Sequence, residues 1–215
     1  GIPSKFVLAG EQNTAAALRR RRSRIRTAAS ACGGAAGASN NGGAGAAGAI
    51  GRKKKFDAVI FDMDGTIVSS TRLAHEATNA VLQKNGFPSI GVEEYGQGTK
   101  YTTPVRLAWH AGVKDEKMAE AMGSEFDACI IEKVSSTNVP TFQGVVPLIS
   151  ELKERGTLLA VLSNASGDYV RRVNQVHQIK SLFQVEWGAD DAILPKPNPD
   201  GLLKILEIMD LKNPN

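Results

Sequence analysis

Asp62 and Asp64 stand two residues apart where an apolar run, Phe56 to Phe61, gives way to Asp-Met-Asp-Gly-Thr66. On extended backbone, side chains two apart point to the same side, so both carboxylates share one pocket just past a strand end. Two anions that close repel, and one pKa rises unless a cation joins them. An oxygen-preferring divalent ion such as Mg2+ is a natural third party. Gly65 allows the sharp turn and Thr66 adds a hydroxyl to it.

Further along, a second apolar run, Thr157 to Leu162, ends in Ser163-Asn164-Ala-Ser-Gly167, and a third short one, Phe183 to Trp187, leads to Pro195-Lys196-Pro197. Prolines on either side restrict where the Lys196 ammonium can point. In open α/β sheets ligands bind past the carboxyl ends of the strands. Together these ends offer two carboxylates, a serine at a helix N-terminus and one lysine. Turn amides and helix N-termini bind phosphate, and lysine supplies a compact charge for a transferring phosphoryl group. A carboxylate nucleophile that forms an aspartyl-phosphate splits one hard displacement into two easier ones.

The elements that position these groups follow from periodicity. Helices are predicted over Ser69 to Lys84, around Val92 to Tyr95, Pro104 to Ala111, Asp115 to Val134, Gly144 to Arg155, Asp168 to His177 and Asp200 to Met209. No strand is predicted between Thr71 and about Thr137. Strand and helix alternation outside that block implies an α/β fold with a parallel sheet. The predicted organisation is a core over 56–70 and 138–215 with a helical insertion over 71–137. Trp109 and Trp187 read as core residues, and His75, His110 and His177 as structural rather than metal-binding.

The net charge of +4 over 215 residues sums two unlike pieces. Residues 1–55 carry 11 Lys and Arg against the single acid Glu11, a balance of +10, whereas the rest carries 15 against 21, a balance of −6. A mildly acidic body argues against nucleic acid as its partner. No uninterrupted apolar run reaches the roughly 20 residues of a membrane span. The first 55 residues, rich in Ala, Gly, Ser and Arg, are predicted to be a disordered leader. Its Arg19-to-Arg26 cluster and scarcity of acids fit an organelle transit peptide, chloroplast being preferred and mitochondrion or cytoplasm the alternatives. Cys32 and Cys129 lie in dissimilar regions and suit free thiols.

Asp62-Met-Asp-Gly-Thr66, Ser163-Asn164 and Lys196-Pro197 resemble, in order and in spacing from the strands, the first three motifs of the haloacid dehalogenase superfamily. The resemblance covers residues 56–215 and points to its phosphoglycolate phosphatase and β-phosphoglucomutase branch. It implies a Rossmannoid core with an α-helical cap after the first strand. By resemblance Asp62 is nucleophile and Mg2+ ligand, and Asp64 is general acid/base and second metal residue. Ser163, Gly65, Thr66 and Asn164 surround the phosphate, and Lys196 steadies nucleophile and phosphoryl charge. Lys100 and Arg106 are candidate cap specificity residues. The substrate implied is a small phosphorylated metabolite, hydrolysed by a Mg2+-dependent phosphatase; a phosphomutase or a non-catalytic truncated domain are the alternatives. The family's fourth motif has no counterpart before Asn215, so the resemblance implies metal ligands from the first motif alone and a sheet lacking one central strand. Asp190 and Asp191 read as capping or solvated acids.

Overall fold

Alternation along the strands decides which side chains face which layer. In the computed structural model, which describes residues 6–9 (backbone only) and 56–211, β2 (Ala58–Phe61) and β3 (Leu158–Leu162) pair in parallel, Ala58 opposite Leu158 and Phe61 opposite Val161. Val59, Phe61, Leu159 and Val161 enter one hydrophobic core, while Ala58, Ile60, Ala160 and Leu162 enter a second on the opposite face. Period two sends neighbours to opposite layers, and burial on both faces explains why these strands are apolar throughout. β4 (Val185–Trp187) extends the sheet beyond β3, again in parallel.

The larger core receives α1 (Thr71–Lys84) through Leu73, Ala77 and Val81, α5 (Val145–Glu154) through Ile149, and α6 (Gly167–Val176) through Tyr169, Val170 and Val173. On the other face α7 (Asp200–Ile208) contributes Ile205, followed by Met209. Between β2 and β3 lie α1, α2 (Val92–Gly98), α3 (Thr103–Ala111) and α4 (Glu116–Lys133). Asp115 caps α4, its Oδ1 accepting from the Met118 amide at 3.1 Å. No helix among the described residues is long and apolar enough to cross a membrane.

Two expectations need correction. The leader is predicted disordered throughout, yet Phe6–Ala9 forms a strand, β1, parallel to β2 with Phe6 opposite Ala58. The sheet thus runs β1-β2-β3-β4, and β2 is flanked on both sides. A Phe-Val-Leu-Ala run suits a strand, and pairing satisfies the backbone groups along the β2 edge. The rest of the leader, with its targeting reading, lies outside the described residues. Trp109 is the second correction: it is 44% exposed, beside Tyr101 and His110 on the helical block.

Candidate active site

β2 stops at Phe61, and the chain turns at Gly65, whose φ of 75° a residue with a Cβ adopts only with strain. The Gly65 amide donates to the Val68 carbonyl at 2.9 Å, closing the turn. Asp62 and Asp64 emerge on either side of buried Met63. Lys196 arrives from the loop after β4, and its Nζ donates to Asp62 Oδ1 at 2.7 Å and to the Leu162 carbonyl at 2.9 Å. The Met63 amide also donates to Asp62 Oδ1, at 2.9 Å. Both donors therefore sit on one carboxylate oxygen, and Oδ2 accepts from no described group. Burial pushes the Asp62 carboxyl above its ordinary range, the attraction of Lys196 pulls it back, and the neighbouring Asp64 charge adds to the push.

Asn164 positions that lysine. Its Nδ2 donates to the Lys196 carbonyl at 3.0 Å, while the Lys196 amide donates to Asn164 Oδ1 at 2.9 Å. The carboxamide spans 32 residues of sequence to hold a single backbone unit from both sides. Ser163, 2% exposed, accepts from the Ala165 amide at 3.0 Å and directs its own hydroxyl to Asp64 Oδ2 at 3.5 Å.

Asp64 is held by residues that sequence reasoning missed. Ser70 Oγ donates to its Oδ1 at 2.5 Å, and Tyr169 Oη to the same oxygen at 2.9 Å. Burial, then the Asp64 charge, raises Tyr169 well above the ordinary phenol range, so it stays a neutral donor. Neither residue carries a sequence signal for this role. Ser70 falls inside the helix predicted from Ser69, and Tyr169 falls with Val170 and Val173 on the apolar face of α6.

The four predicted catalytic residues thus gather past the strand ends as two hydrogen-bonded pairs, Lys196 with Asp62 and Ser163 with Asp64. Thr66 lies in the same turn, its amide 3.4 Å from the Met63 carbonyl. Lys100 does not join them by any hydrogen bond or ion pair among the described residues. It is exposed, with Nζ 5.0 Å from the centre of the Tyr101 ring. Arg106 is buried on α3, its Nη1 donating to Tyr95 Oη at 3.1 Å. Asp190 acts as a capping acid, its Oδ1 accepting from the Gly167 amide at the start of α6, whereas Asp191 Oδ2 accepts from the Gly188 amide within its loop and pairs with Arg171 at 3.2 Å. Gly188 is required there, since a Cβ would lie 2.2 Å from the Gly167 amide nitrogen. His75 and His177 each place Nε2 against a backbone carbonyl, of Ile90 and Val139 respectively, which is a structural arrangement.

Among the described residues no three His, Cys, Asp or Glu side chains cluster as a complete metal cage. The donor chemistry still fits Mg2+, which is bound through one or two carboxylates, with water and substrate phosphate completing the shell. Asp62 supplies a carboxylate oxygen with no donor among the described residues, next to a second carboxylate.

Comparison with known proteins gives the family. The chain is 29% identical over 152 residues to phosphoglycolate phosphatase of Rhodobacter capsulatus, covering 66% of each protein. It is 26% identical over 154 residues to phosphoglycolate phosphatase 1 of Pseudomonas aeruginosa, covering 70% of this chain and 57% of that one. It therefore spans about two thirds or less of the length of these relatives. The solved structure of CbbY from Rhodobacter sphaeroides, in complex with phosphate, superposes with a TM-score of 0.59 at 22% identity, covering 72% of both chains. A predicted phosphoglycolate phosphatase from Haemophilus somnus gives 0.62 at 20%, covering 73% of this chain and 72% of that one. With residues 59–215 matching the family throughout, the chain belongs to the haloacid dehalogenase-like hydrolases.

Proposed function

We propose that this protein is a Mg2+-dependent phosphatase of a small phosphomonoester, phosphoglycolate or a sugar phosphate, working through an aspartyl-phosphate. The observation that carries the reading is the division of labour on Asp62. Its Oδ1 is fixed by the Met63 amide and Lys196 Nζ, while Oδ2 is left as nucleophile. Oδ2 attacks phosphorus, and the bond to the leaving alkoxide breaks as Asp64 delivers a proton to it. Asp64, now a carboxylate, takes a proton from the water that hydrolyses the acyl phosphate, returning Asp62 and releasing inorganic phosphate. Lys196 offsets charge on the transferring group, and Ser163 with the Asn164 backbone amide holds its oxygens. Asp62 and Asp64 would hold Mg2+, which when bound draws charge from the phosphoryl oxygens. The helical block over residues 71–137 serves as the cap that keeps bulk water out.

The test is phosphate release by the full chain from 2-phosphoglycolate and a panel of sugar phosphates, with Mg2+ and with EDTA. Turnover is expected with Mg2+ only. Asp62→Asn should lower it by about 10⁴-fold or more while substrate binding persists. Hydrolysis by that variant at the wild-type rate would overturn the mechanism.

A further inference from the structure

β2 is built as an interior strand. All four of its residues, Ala58 to Phe61, are buried, and none has a polar side chain. The far edge of the sheet is made differently: β4 carries Glu186 and leaves both Glu186 and Trp187 half-buried. A charged residue on an outer strand keeps an open edge from pairing with other chains. β2 lacks that protection, although its last residue directly precedes Asp62.

The backbone of β2 shows what it needs on its other side. The Leu158 amide donates to the Asp57 carbonyl at 3.0 Å, with Leu158 opposite Ala58. Along a parallel ladder, successive residues turn their N–H and C=O groups to opposite neighbours. Asp57, Val59 and Phe61 therefore face β3, and Ala58 and Ile60 face away from it. β1 lies on that side, Val7 opposite Val59 and Ala9 opposite Phe61. By the rule that joins Leu158 to Asp57, this register aligns the Val7 N–H with the Ala58 carbonyl and the Ile60 N–H with the Val7 carbonyl. Parallel strands need a crossover of about a dozen residues or more, and the chain from Gly10 to Asp57 is several times that.

We propose that the β2 edge is a strand-accepting site whose occupant is Phe6–Ala9 of the same chain, which makes this segment a working part of the catalytic domain. Buried backbone groups left without partners cost stability, and β1 supplies partners along β2 up to the residue before Asp62. Four residues of strand make few hydrogen bonds, each worth little net of water, so the pairing relies on the tether. A tether holds the segment at an effective concentration of the order of a millimolar, above the micromolar level at which a second copy would compete. Removing residues 1–55 as a leader would strip the edge. β2 would then be an outer strand, and the corner that gathers Asp62, Asp64, Ser163 and Lys196 would lose its support on one side.

The experiment follows amide hydrogen exchange by NMR in the full chain, in wild type, Val7→Pro and Leu8→Pro. Wild type should show the Ile60 amide as slow as those of Val59 and Phe61. Val7→Pro deletes the N–H aimed at β2, and the Ile60 amide should then exchange about 100-fold faster or more, while Val59 and Phe61 stay slow. Leu8→Pro deletes an N–H that faces away from β2, a place where an outer strand tolerates proline, so Ile60 should stay slow. Loss of protection at all three amides in Val7→Pro alone would also support the pairing, because a residue outside the fold could not cause it. An Ile60 amide that is fast in wild type, slow in Val7→Pro, or equally accelerated by both prolines would overturn it. So would a dimer whose Ile60 protection disappears on dilution, which would make a second copy the occupant. Turnover of 2-phosphoglycolate, the arm that rests on the phosphatase reading, should fall about 10- to 100-fold in Val7→Pro. Unchanged turnover with Ile60 unprotected would overturn the part given to β1 in the site. If wild type hydrolyses no phosphomonoester, the phosphatase reading fails and the exchange rates still decide the pairing.

Discussion

Lys196 is a partly buried cation and Arg106 a buried one, and the molecule treats them differently. Lys196 meets a carboxylate and a carbonyl, and its backbone is clasped on both sides by Asn164. Arg106 has the Tyr95 hydroxyl, the Tyr95 and Phe126 rings, and two N–H groups with no acceptor among the described residues. Groups that must already stand in place when a bond breaks are matched inside the protein, because reorganising them during the reaction would add to the barrier. The corner is matched throughout and the block is not, and each can be disturbed separately.

The largest effect expected here comes from loosening the corner. Asn164→Ala removes both hydrogen bonds to the Lys196 backbone while leaving the lysine itself. Misplacing a catalytic group by about 1 Å costs about 10²-fold. Single-turnover phosphate release should fall by about that factor, with substrate binding unchanged. An equal loss of substrate binding from this variant would mean that Asn164 does more than position Lys196.

Tyr169→Phe should do less. It deletes one of the two hydroxyls on Asp64 Oδ1 and keeps the ring in the core, and Ser70 still holds the carboxylate. One lost hydrogen bond to a charged group corresponds to a fall of about tenfold or somewhat more. That loss should fall on kcat, with KM unmoved. A matching rise in KM would place Tyr169 among the binding groups instead.

Tyr169 also shows where reading the chain alone ends. The strands were legible because alternation across a two-faced sheet writes itself into sequence, and the loops at their ends because carboxylates, Ser163 and Lys196 stand at abrupt changes of character. Asn164 was legible as part of the loop after the second strand, but the backbone it holds lies 32 residues away, and the close approach of Gly188 to Gly167 spans 21. Tyr169 reports only its apolar ring to a periodicity argument, and its hydroxyl finds Asp64 across 105 residues. Arg106 could be named as a candidate from its place in the block. Its unpaired edge is a property of packing, which no local pattern records. Phe6–Ala9 failed differently: four strand-forming residues were outweighed by the composition of the fifty around them.

Asp127 lies where the two regions meet, and its titration sharpens the comparison with the smallest effect. Burial, together with the charges of Asp190 and Asp168, raises its carboxyl from 3.8 to about 6, against the opposing pull of Arg106. A carboxyl raised on folding is easier to ionise in the unfolded chain, so the folded state loses stability as pH climbs from about 4 through 6. Below that window both states carry the proton and the contribution is flat. Asp127→Asn should therefore stabilise the protein at pH 7.5, by of the order of 1 kcal/mol after solvent screening, and leave it unchanged at pH 3.5. Urea titrations at the two pH values read this directly. Equal stabilisation at both would assign the effect to packing, and destabilisation at pH 7.5 would mean that Arg106 holds Asp127 as its counter-ion, which would remove the contrast with Lys196.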